Sequence, residues 1–310
     1  RQMCIRDRDV VALKRRNGKE LWRFHTGGPV LGTPVIEGSV VIVASADSCV
    51  YGIHLRKGKE LWKVKGDMPF VSSAAVRDGN AYIGGSDGKI RCISISDGTV
   101  NWIYDGVKQY IEATPAVTRE HVIVGAWDRY LYALDRFTGK LDWKWAGPMA
   151  GVLYSPAVCQ PVVSNGVVFI VAPDRVMTAL DEKTGEVIWR TAEHMVRESI
   201  GISEDKTRVY ARTMQDSVAC MDATAKEPVT LWKTFGGFGY DIGMAPPVEK
   251  DGVLFYPTQR GEIHAMDPLT GKILWKHRLS TALVNPVFPR SDDDLVVTTM
   301  DGKVARVIVK

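Results

Sequence analysis

A tryptophan that returns about every forty residues constrains the fold of this chain more than any other feature. The motif Gly-x-x-x-Trp occurs six times, and a seventh tryptophan keeps the spacing without the glycine. Successive tryptophans are separated by 40, 40, 41, 46, 43 and 43 residues. A fixed period of this length is typical of repeated units, each too small to bury its own apolar face. The seven tryptophans are Trp22, Trp62, Trp102, Trp143, Trp189, Trp232 and Trp275.

Each repeat is predicted to contain four short β-strands, called A to D. In the fullest copy they are residues 114–117, 121–125, 130–134 and 140–143, and the tryptophan belongs to strand D. Short β-branched and aromatic runs separated by Asp-Gly, Asn-Gly or Thr-Gly indicate consecutive hairpins. Four hairpin-linked strands in forty residues are typical of one propeller blade. The predicted fold is therefore all-β, a β-propeller of four-stranded antiparallel blades.

The strand count predicts eight blades in the intact parent. We find seven A, seven B, eight C and seven D strands, and a closed ring would pair an N-terminal D strand with the C-terminal A, B and C strands. A seven-bladed ring with one redundant C strand is the alternative. The A strands are predicted to begin near residues 33, 73, 114, 155, 199, 245 and 285.

One position of strand C carries a small residue in seven of its eight copies, which is expected to let the next blade approach. Cys92 and Cys220 are therefore predicted to be buried substitutes for alanine. Arg306 breaks the pattern. The eight residues are Ala12, Gly52, Cys92, Ala133, Ala179, Cys220, Ala265 and Arg306.

Residues 1–8 resemble translated sequencing adaptor and are predicted to be a non-native or disordered leader, so we expect the natural N-terminus to be missing. Residues 9–310 are predicted to form a single propeller domain. The composition, 45% hydrophobic and 25% charged, is typical of a soluble globular protein. A net charge of +4, with both signs interspersed, is too small to indicate nucleic-acid binding. Five cysteines without a Cys-x-x-Cys pair indicate neither a disulfide framework nor a zinc site.

The tryptophans of strand D are predicted to hold neighbouring blades together. A ligand site needs a cluster in one place, whereas these tryptophans recur once per repeat at a constant register. All seven are therefore predicted to be structural, and each can bury about 150–250 Å². Trp127 and Trp145 lie outside the register and are better candidates for a partner surface.

The D–A connections are the longest loops, and in a propeller they gather on one face around the central channel. Several are rich in aromatic, Met and Arg residues, which are favoured at the energetic centres of protein interfaces. Glu112, Glu198 and Asp241 lie in these loops and could hold a cation, although solvated charges are the simpler interpretation. The histidines show no metal-site or triad spacing. The candidate partner surface comprises Phe70, Tyr110, Glu112, Trp145, Met149, Tyr154, Arg197, Phe238, Tyr240 and Asp241.

The repeat unit resembles the pyrroloquinoline quinone (PQQ) repeat, and the resemblance covers residues 9–310. The best local match is residues 128–143, Asp-Arg-Tyr-Leu-Tyr-Ala-Leu-Asp-Arg-Phe-Thr-Gly-Lys-Leu-Asp-Trp, and residues 179–189 and 263–275 also match closely. Quinoprotein dehydrogenases of this family bind PQQ with calcium, use an Asp base, and carry a vicinal cysteine pair and long insertions. No two cysteines are adjacent here, and the repeats are near minimal in length. The chain is more similar to the non-catalytic propeller lipoprotein of the outer-membrane protein assembly machinery.

This resemblance implies a protein–protein interaction scaffold in a bacterial periplasm or cell envelope. It implies no catalytic residues, no PQQ, calcium or other cofactor, and a protein partner on the loop face. We further expect a monomer without nucleic-acid partners or a transmembrane segment. One alternative is a PQQ- and calcium-dependent quinoprotein dehydrogenase. Another is a ligand-sensing or accessory propeller of a larger envelope enzyme such as a hydrolase or phosphoesterase.

Overall fold

The computed structural model describes residues 8–149, 151, 155–240 and 245–309. These residues form twenty-nine β-strands. Seven are A, seven B, eight C and seven D strands, as the sequence predicts. No helix capable of crossing a membrane is found in this part of the chain. The chain divides into two compact units, Met3–Ala157 and Val158–Lys310.

The first unit contains one two-stranded and three four-stranded antiparallel sheets, in which consecutive strands are neighbours. The two-stranded sheet is β1 and β2, and the others are β3–β6, β7–β10 and β11–β14. The strands are β1 Asp9–Leu13, β2 Glu20–His25, β3 Val35–Glu37, β4 Val40–Ser45, β5 Cys49–His54, β6 Glu60–Lys65, β7 Ala75–Arg77, β8 Asn80–Gly84, β9 Ile90–Ser94, β10 Val100–Tyr104, β11 Ala116–Val117, β12 His121–Gly125, β13 Leu131–Asp135 and β14 Leu141–Trp145.

The second unit contains three four-stranded sheets, β15–β18, β19–β22 and β23–β26, and a three-stranded sheet, β27–β29. The strands are β15 Val162–Ser164, β16 Val167–Val171, β17 Met177–Asp181, β18 Val187–Thr191, β19 Val196–Ile202, β20 Arg208–Thr213, β21 Ser217–Asp222, β22 Thr230–Phe235, β23 Val248–Lys250, β24 Val253–Pro257, β25 Glu262–Met266, β26 Ile273–Arg278, β27 Phe288–Pro289, β28 Asp294–Thr298 and β29 Val304–Ile308.

Tight turns join strands A and B, as the Asp-Gly and Asn-Gly pairs predict. At Asp78 and Gly79 the backbone φ angles are 49° and 75°, and Asn165 and Gly166 show the same pair of positive values. Two consecutive positive φ angles define the type I′ turn, whose twist matches that of a two-stranded hairpin. The local sequence thus sets the register of these hairpins.

The small residue of strand C lies opposite the tryptophan of its own sheet. Gly52 pairs with Trp62, and Cys92 pairs with Trp102. A Cβ atom on Gly52 would lie 2.1 Å from Cε2 of Trp62, so the indole covers this position. The prediction that the small residue admits the next blade is therefore corrected, because it makes room for the indole of the same sheet. Cys92 and Cys220 are buried, as predicted.

Five of the indole N–H groups donate a hydrogen bond to a carbonyl oxygen of the following sheet. The glycine of the following repeat lies against the same indole, and a Cβ atom on Gly58 or Gly139 would lie 2.6 Å from the ring of Trp22 or Trp102. These glycines also have positive φ angles. Any other residue would therefore both clash with the indole and adopt an unfavourable backbone conformation. The bonds are Trp22 to Leu55 (2.8 Å), Trp62 to Ile95 (2.8 Å), Trp102 to Arg136 (3.0 Å), Trp189 to Ala225 (3.4 Å) and Trp232 to Pro268 (3.0 Å).

One detail of the strand prediction is corrected and one is explained. The A strand predicted near residue 155 begins at Val162, directly after Pro161, which has no backbone N–H to donate. Arg306, the exception among the small residues, lies on β29, which has no fourth strand and no tryptophan beside it among the described residues. Its guanidinium instead forms an ion pair with Asp294 at 2.7 Å.

Candidate functional site

An aspartate in the B–C turn fixes the D–A connection that leads into each of several sheets. In the first unit, Asp47 accepts a hydrogen bond from the backbone N–H of Gly27 at 2.6 Å. Asp128 accepts one from the backbone N–H of Lys108 at 2.9 Å. The D–A connection and the B–C turn therefore lie together at the same end of the sheet. These two segments are called the loop end of a sheet below.

The loop end of sheet β11–β14 carries a pair of stacked aromatic rings. The rings of Tyr110 and Trp127 are 5.4 Å apart and inclined by 29°. The backbone N–H of Trp127 donates to the carbonyl of Tyr110 at 3.2 Å, and its indole N–H donates to Oε2 of Glu112 at 3.1 Å. Tyr110 remains 40% exposed. The arrangement presents the Tyr110 side chain to solvent, stacked on an indole that Glu112 holds in place.

Beside this pair lies a groove of about 490 Å³. Its polar lining includes Lys108, Arg129 and Lys144, all exposed, and the carboxylate of Asp128. Nζ of Lys144 lies 4.5 Å from the centre of the Tyr130 ring. The groove therefore combines three cations with an aromatic surface.

The hydroxyl of Tyr132 closes one side of this groove. It donates to Oδ2 of Asp128 at 2.6 Å. Burial, reinforced by the bond to the carboxylate, raises the pKa of this hydroxyl well above its usual range. Tyr132 therefore stays protonated and acts as a fixed donor rather than as a base.

Phe238, which the sequence placed on the partner surface in a loop of the second unit, packs inward instead. Phe238 is 1% exposed and lies against Tyr256 and His264, with ring centres 5.8 and 6.4 Å away. Its backbone N–H donates to Asp216. The buried Phe238 anchors the glycine-rich loop, because the flanking glycines allow the chain to turn around it.

The predicted partner surface is thus corrected at two residues. Phe70 is completely buried in the core of the first unit, and Phe238 is buried as described above. Met149 and Tyr240 are exposed by 65% and 67%, while Trp145 is half-buried. Arg197 lies 3.0 Å from the carboxylate of Glu198. Tyr154 and Asp241 lie outside the described residues.

The carboxylates considered for cation binding have other contacts. Glu112 holds the indole of Trp127, and Glu198 is buried beside Arg197. Within residues 8–149, 151, 155–240 and 245–309, no three His, Cys, Asp or Glu side chains are arranged to hold a metal ion.

Sequence reasoning missed the groove cations, although one signal was present. Lys108, Arg129 and Lys144 were not proposed as site residues because scattered Lys and Arg are usually solvated. Arg129, however, occupies a turn position with a positive φ angle that is glycine in three other copies, Gly88, Gly261 and Gly302. In three more copies the position is Ser48, Arg175 or Asp216. A bulky cation at such a position was the available signal, and Arg175 shares it.

The sequence profile described as outer membrane protein assembly factor BamB matches residues 5–110, 106–213 and 217–309. The chain belongs to this family. Its PQQ-like repeats and β-propeller fold are thereby confirmed.

Two solved structures show the fold independently. BamB from Moraxella catarrhalis is 18% identical with a TM-score of 0.76, over 99% of this chain and 91% of that chain. The computationally designed Ika8 protein is 17% identical with a TM-score of 0.82, over 98% of this chain and 91% of that chain. A comparison with curated proteins found no match.

Proposed function

We propose that this protein is a non-catalytic scaffold that binds another protein through the loop ends of its sheets. Its membership of the BamB family supports this proposal, because the family description names a factor in outer membrane protein assembly. The same description supports a periplasmic or cell-envelope location and a partner belonging to an assembly apparatus. We infer a monomer whose intact parent is a propeller of eight blades, for which the six four-stranded, one three-stranded and one two-stranded sheets among the described residues are the support. Seven blades is the alternative.

The observation that carries the proposal is the exposed Tyr110 held on Trp127. An aromatic side chain that is already fixed loses little conformational entropy on binding, and it offers a large area to a partner. Tyr110 has both properties, since it is 40% exposed and stacked at 5.4 Å. Tyr240 and Met149 supply further exposed surface in their own loops.

The test is capture of a partner from envelope extract by the purified, tagged protein. Tyr110→Ala should abolish capture of a protein that the wild type retains. The matched control is Phe137→Ala, because Phe137 is 68% exposed but lies in the C–D turn of the same sheet, away from its loop end. Both variants should melt within a few degrees of the wild type, since surface substitutions have small effects. Equal capture by Tyr110→Ala and the wild type would contradict the proposal.

A second experiment addresses the enzymatic alternative. Isothermal titration calorimetry with PQQ and calcium should detect no binding, and dye-linked alcohol oxidation should stay at background. Saturable PQQ binding together with turnover would overturn the non-catalytic assignment.

A further inference from the structure

The groove beside Tyr110 holds three cations without acidic partners. Among the described residues, none of Lys108, Arg129 and Lys144 lies within 4.0 Å of a carboxylate. In the preceding sheet the cations at the loop end are paired, since Lys89 contacts Asp67 at 2.6 Å and Arg91 forms an ion pair with Asp87. The groove lining therefore has an excess of positive charge, with three cations against the one carboxylate of Asp128.

Asp128, the carboxylate in the groove lining, is already occupied by hydrogen bonds. It accepts from the Tyr132 hydroxyl at 2.6 Å and from the backbone N–H of Lys108 at 2.9 Å. Its role is to fix the loop and the tyrosine. Within the described part of the chain, Asp128 forms no ion pair with the three cations, and its single charge leaves two of theirs in excess for an external anion.

Arg129 is held at this groove in a backbone conformation that disfavours it. Its φ angle is 78°, in the left-handed region, where a non-glycine residue costs about 1 kcal/mol or more. Three other copies place glycine at the equivalent turn position, with φ angles of 70°, 82° and 87° at Gly88, Gly261 and Gly302. Three more copies also place a non-glycine residue there, namely Ser48, Arg175 and Asp216. The guanidinium lies 5.5 Å from the centre of the Tyr130 ring, at the groove.

An equivalent groove in the same unit offers a natural comparison. The groove around Asp47, of about 440 Å³, is lined by Tyr51, Lys63 and Lys65. Lys63 pairs with Tyr51 across the strands just as Lys144 pairs with Tyr132. Here, however, two carboxylates, Asp47 and Glu60, accompany the two lysines. The excess of positive charge is therefore specific to the groove beside Tyr110.

We propose that this groove binds an acidic peptide segment of the protein partner, with its carboxylates at Arg129 and Lys144 and an apolar side chain against Tyr110. This inference rests on the proposed scaffold function and names the chemistry of the partner. A volume of about 490 Å³ matches several peptide side chains, whereas a single phosphate would fill a small part of it. Three cations around an aromatic surface suit a short acidic and aromatic sequence, and they fall short of the basic stripe expected for nucleic acid.

The test is fluorescence anisotropy of the purified protein with a labelled peptide, Gly-Asp-Phe-Glu-Asp-Phe-Glu-Gly. The matched probe replaces each Asp and Glu with Asn and Gln. We expect the wild type to bind the acidic peptide at least about tenfold more tightly, with an affinity that falls as salt rises. Inorganic phosphate and an RNA oligonucleotide serve as competitors and should displace the peptide only weakly.

Three variants locate the binding. Arg129→Gly removes the guanidinium and places at this turn the residue that three other copies use, so the fold should be retained. Arg129→Gly and Lys144→Gln should each weaken peptide binding by about three- to fivefold, the effect of losing one solvent-exposed ion pair. Lys63→Gln, the matched change in the equivalent groove, should leave the affinity unchanged.

Each other outcome overturns the inference. One is that the wild type does not prefer the acidic peptide. A second is that the Arg129→Gly/Lys144→Gln double variant binds the acidic peptide as tightly as the wild type. A third is that Lys63→Gln loses as much affinity as Arg129→Gly or Lys144→Gln. Strong displacement by phosphate or by RNA would assign the groove to a small anion or to nucleic acid. Partner capture is measured in parallel with the same variants. Capture without peptide preference refutes this inference alone, whereas peptide preference without capture refutes the scaffold function.

Discussion

Replacing Trp62 with alanine should destabilise the protein far more than replacing its neighbour Leu61. Trp62 is 7% exposed, donates its indole N–H to the carbonyl of Ile95 in the next sheet at 2.8 Å, and contacts Gly98 of that sheet. Leu61 is 47% exposed on the other face of the same strand. Comparing alanine variants of Trp62 and Leu61 therefore distinguishes loss of the contact between sheets from a general effect on strand β6.

The magnitude follows from area and from one hydrogen bond. A buried tryptophan removes about 150–250 Å² from water, which at about 25 cal/mol per Å² corresponds to about 4–6 kcal/mol. Measured Trp→Ala changes in cores cost about 3–5 kcal/mol because the cavity partly relaxes. Trp62→Phe keeps most of the apolar contact but leaves the Ile95 carbonyl without its donor, so about 1–2 kcal/mol is expected.

The assay is urea unfolding followed by circular dichroism, with melting temperature as a second readout. We expect the order wild type, Leu61→Ala, Trp62→Phe, Trp62→Ala in decreasing stability, with Leu61→Ala close to the wild type. A Trp62→Ala variant within about 1 kcal/mol of Leu61→Ala would refute the docking role.

Two further predictions concern the motif glycine and a buried histidine. Gly139→Ala should lower the free energy of unfolding in urea by at least about 1 kcal/mol more than Gly79→Ala. Both glycines have positive φ angles, but a Cβ on Gly139 would also lie 2.6 Å from an indole ring, whereas Gly79 faces open space. Equal losses of stability in the two variants would contradict the packing argument. His264 is fully buried between Tyr256 and Glu262, and burial lowers its pKa, so the unfolded state binds more protons and stability should fall as the pH drops below about 6.5. His264→Gln should flatten the dependence of melting temperature on pH between about 7 and about 5, and an unchanged slope would exclude His264 as its source.

The fold was largely predictable because short local motifs define the strands and turns of each repeat. Asp78-Gly79 and Asn165-Gly166 specify their hairpin turns, and the period of the tryptophans specifies the number of units. The strand near residue 155 was misplaced because Ser155-Pro156 matches the Thr33-Pro34 pair that precedes another A strand, although strand pairing begins only at Val162. The role of the small residue at Gly52 required the cross-strand register, which the sequence does not contain.

The candidate site was less predictable, because residue type does not determine exposure in loops. Phe70, Phe238 and Tyr110 are all aromatic residues of D–A connections, yet Phe70 and Phe238 are buried whereas Tyr110 is exposed to solvent. The difference arises from contacts with distant residues, such as Arg91 near the Phe70 ring and His264 near Phe238. The groove depends likewise on Lys108, Arg129 and Lys144 meeting from three separate segments.

The most direct test of the scaffold assignment is photo-cross-linking in the native cells, with a photoreactive phenylalanine at position 110 or, as the control, at position 137. Both side chains are exposed, but only Tyr110 lies at the loop end of sheet β11–β14. The scaffold assignment predicts one dominant cross-linked protein, identified by mass spectrometry as a component of an outer-membrane protein assembly apparatus, from position 110 and not from position 137. The absence of a specific product at position 110, or the same product at both positions, would contradict it.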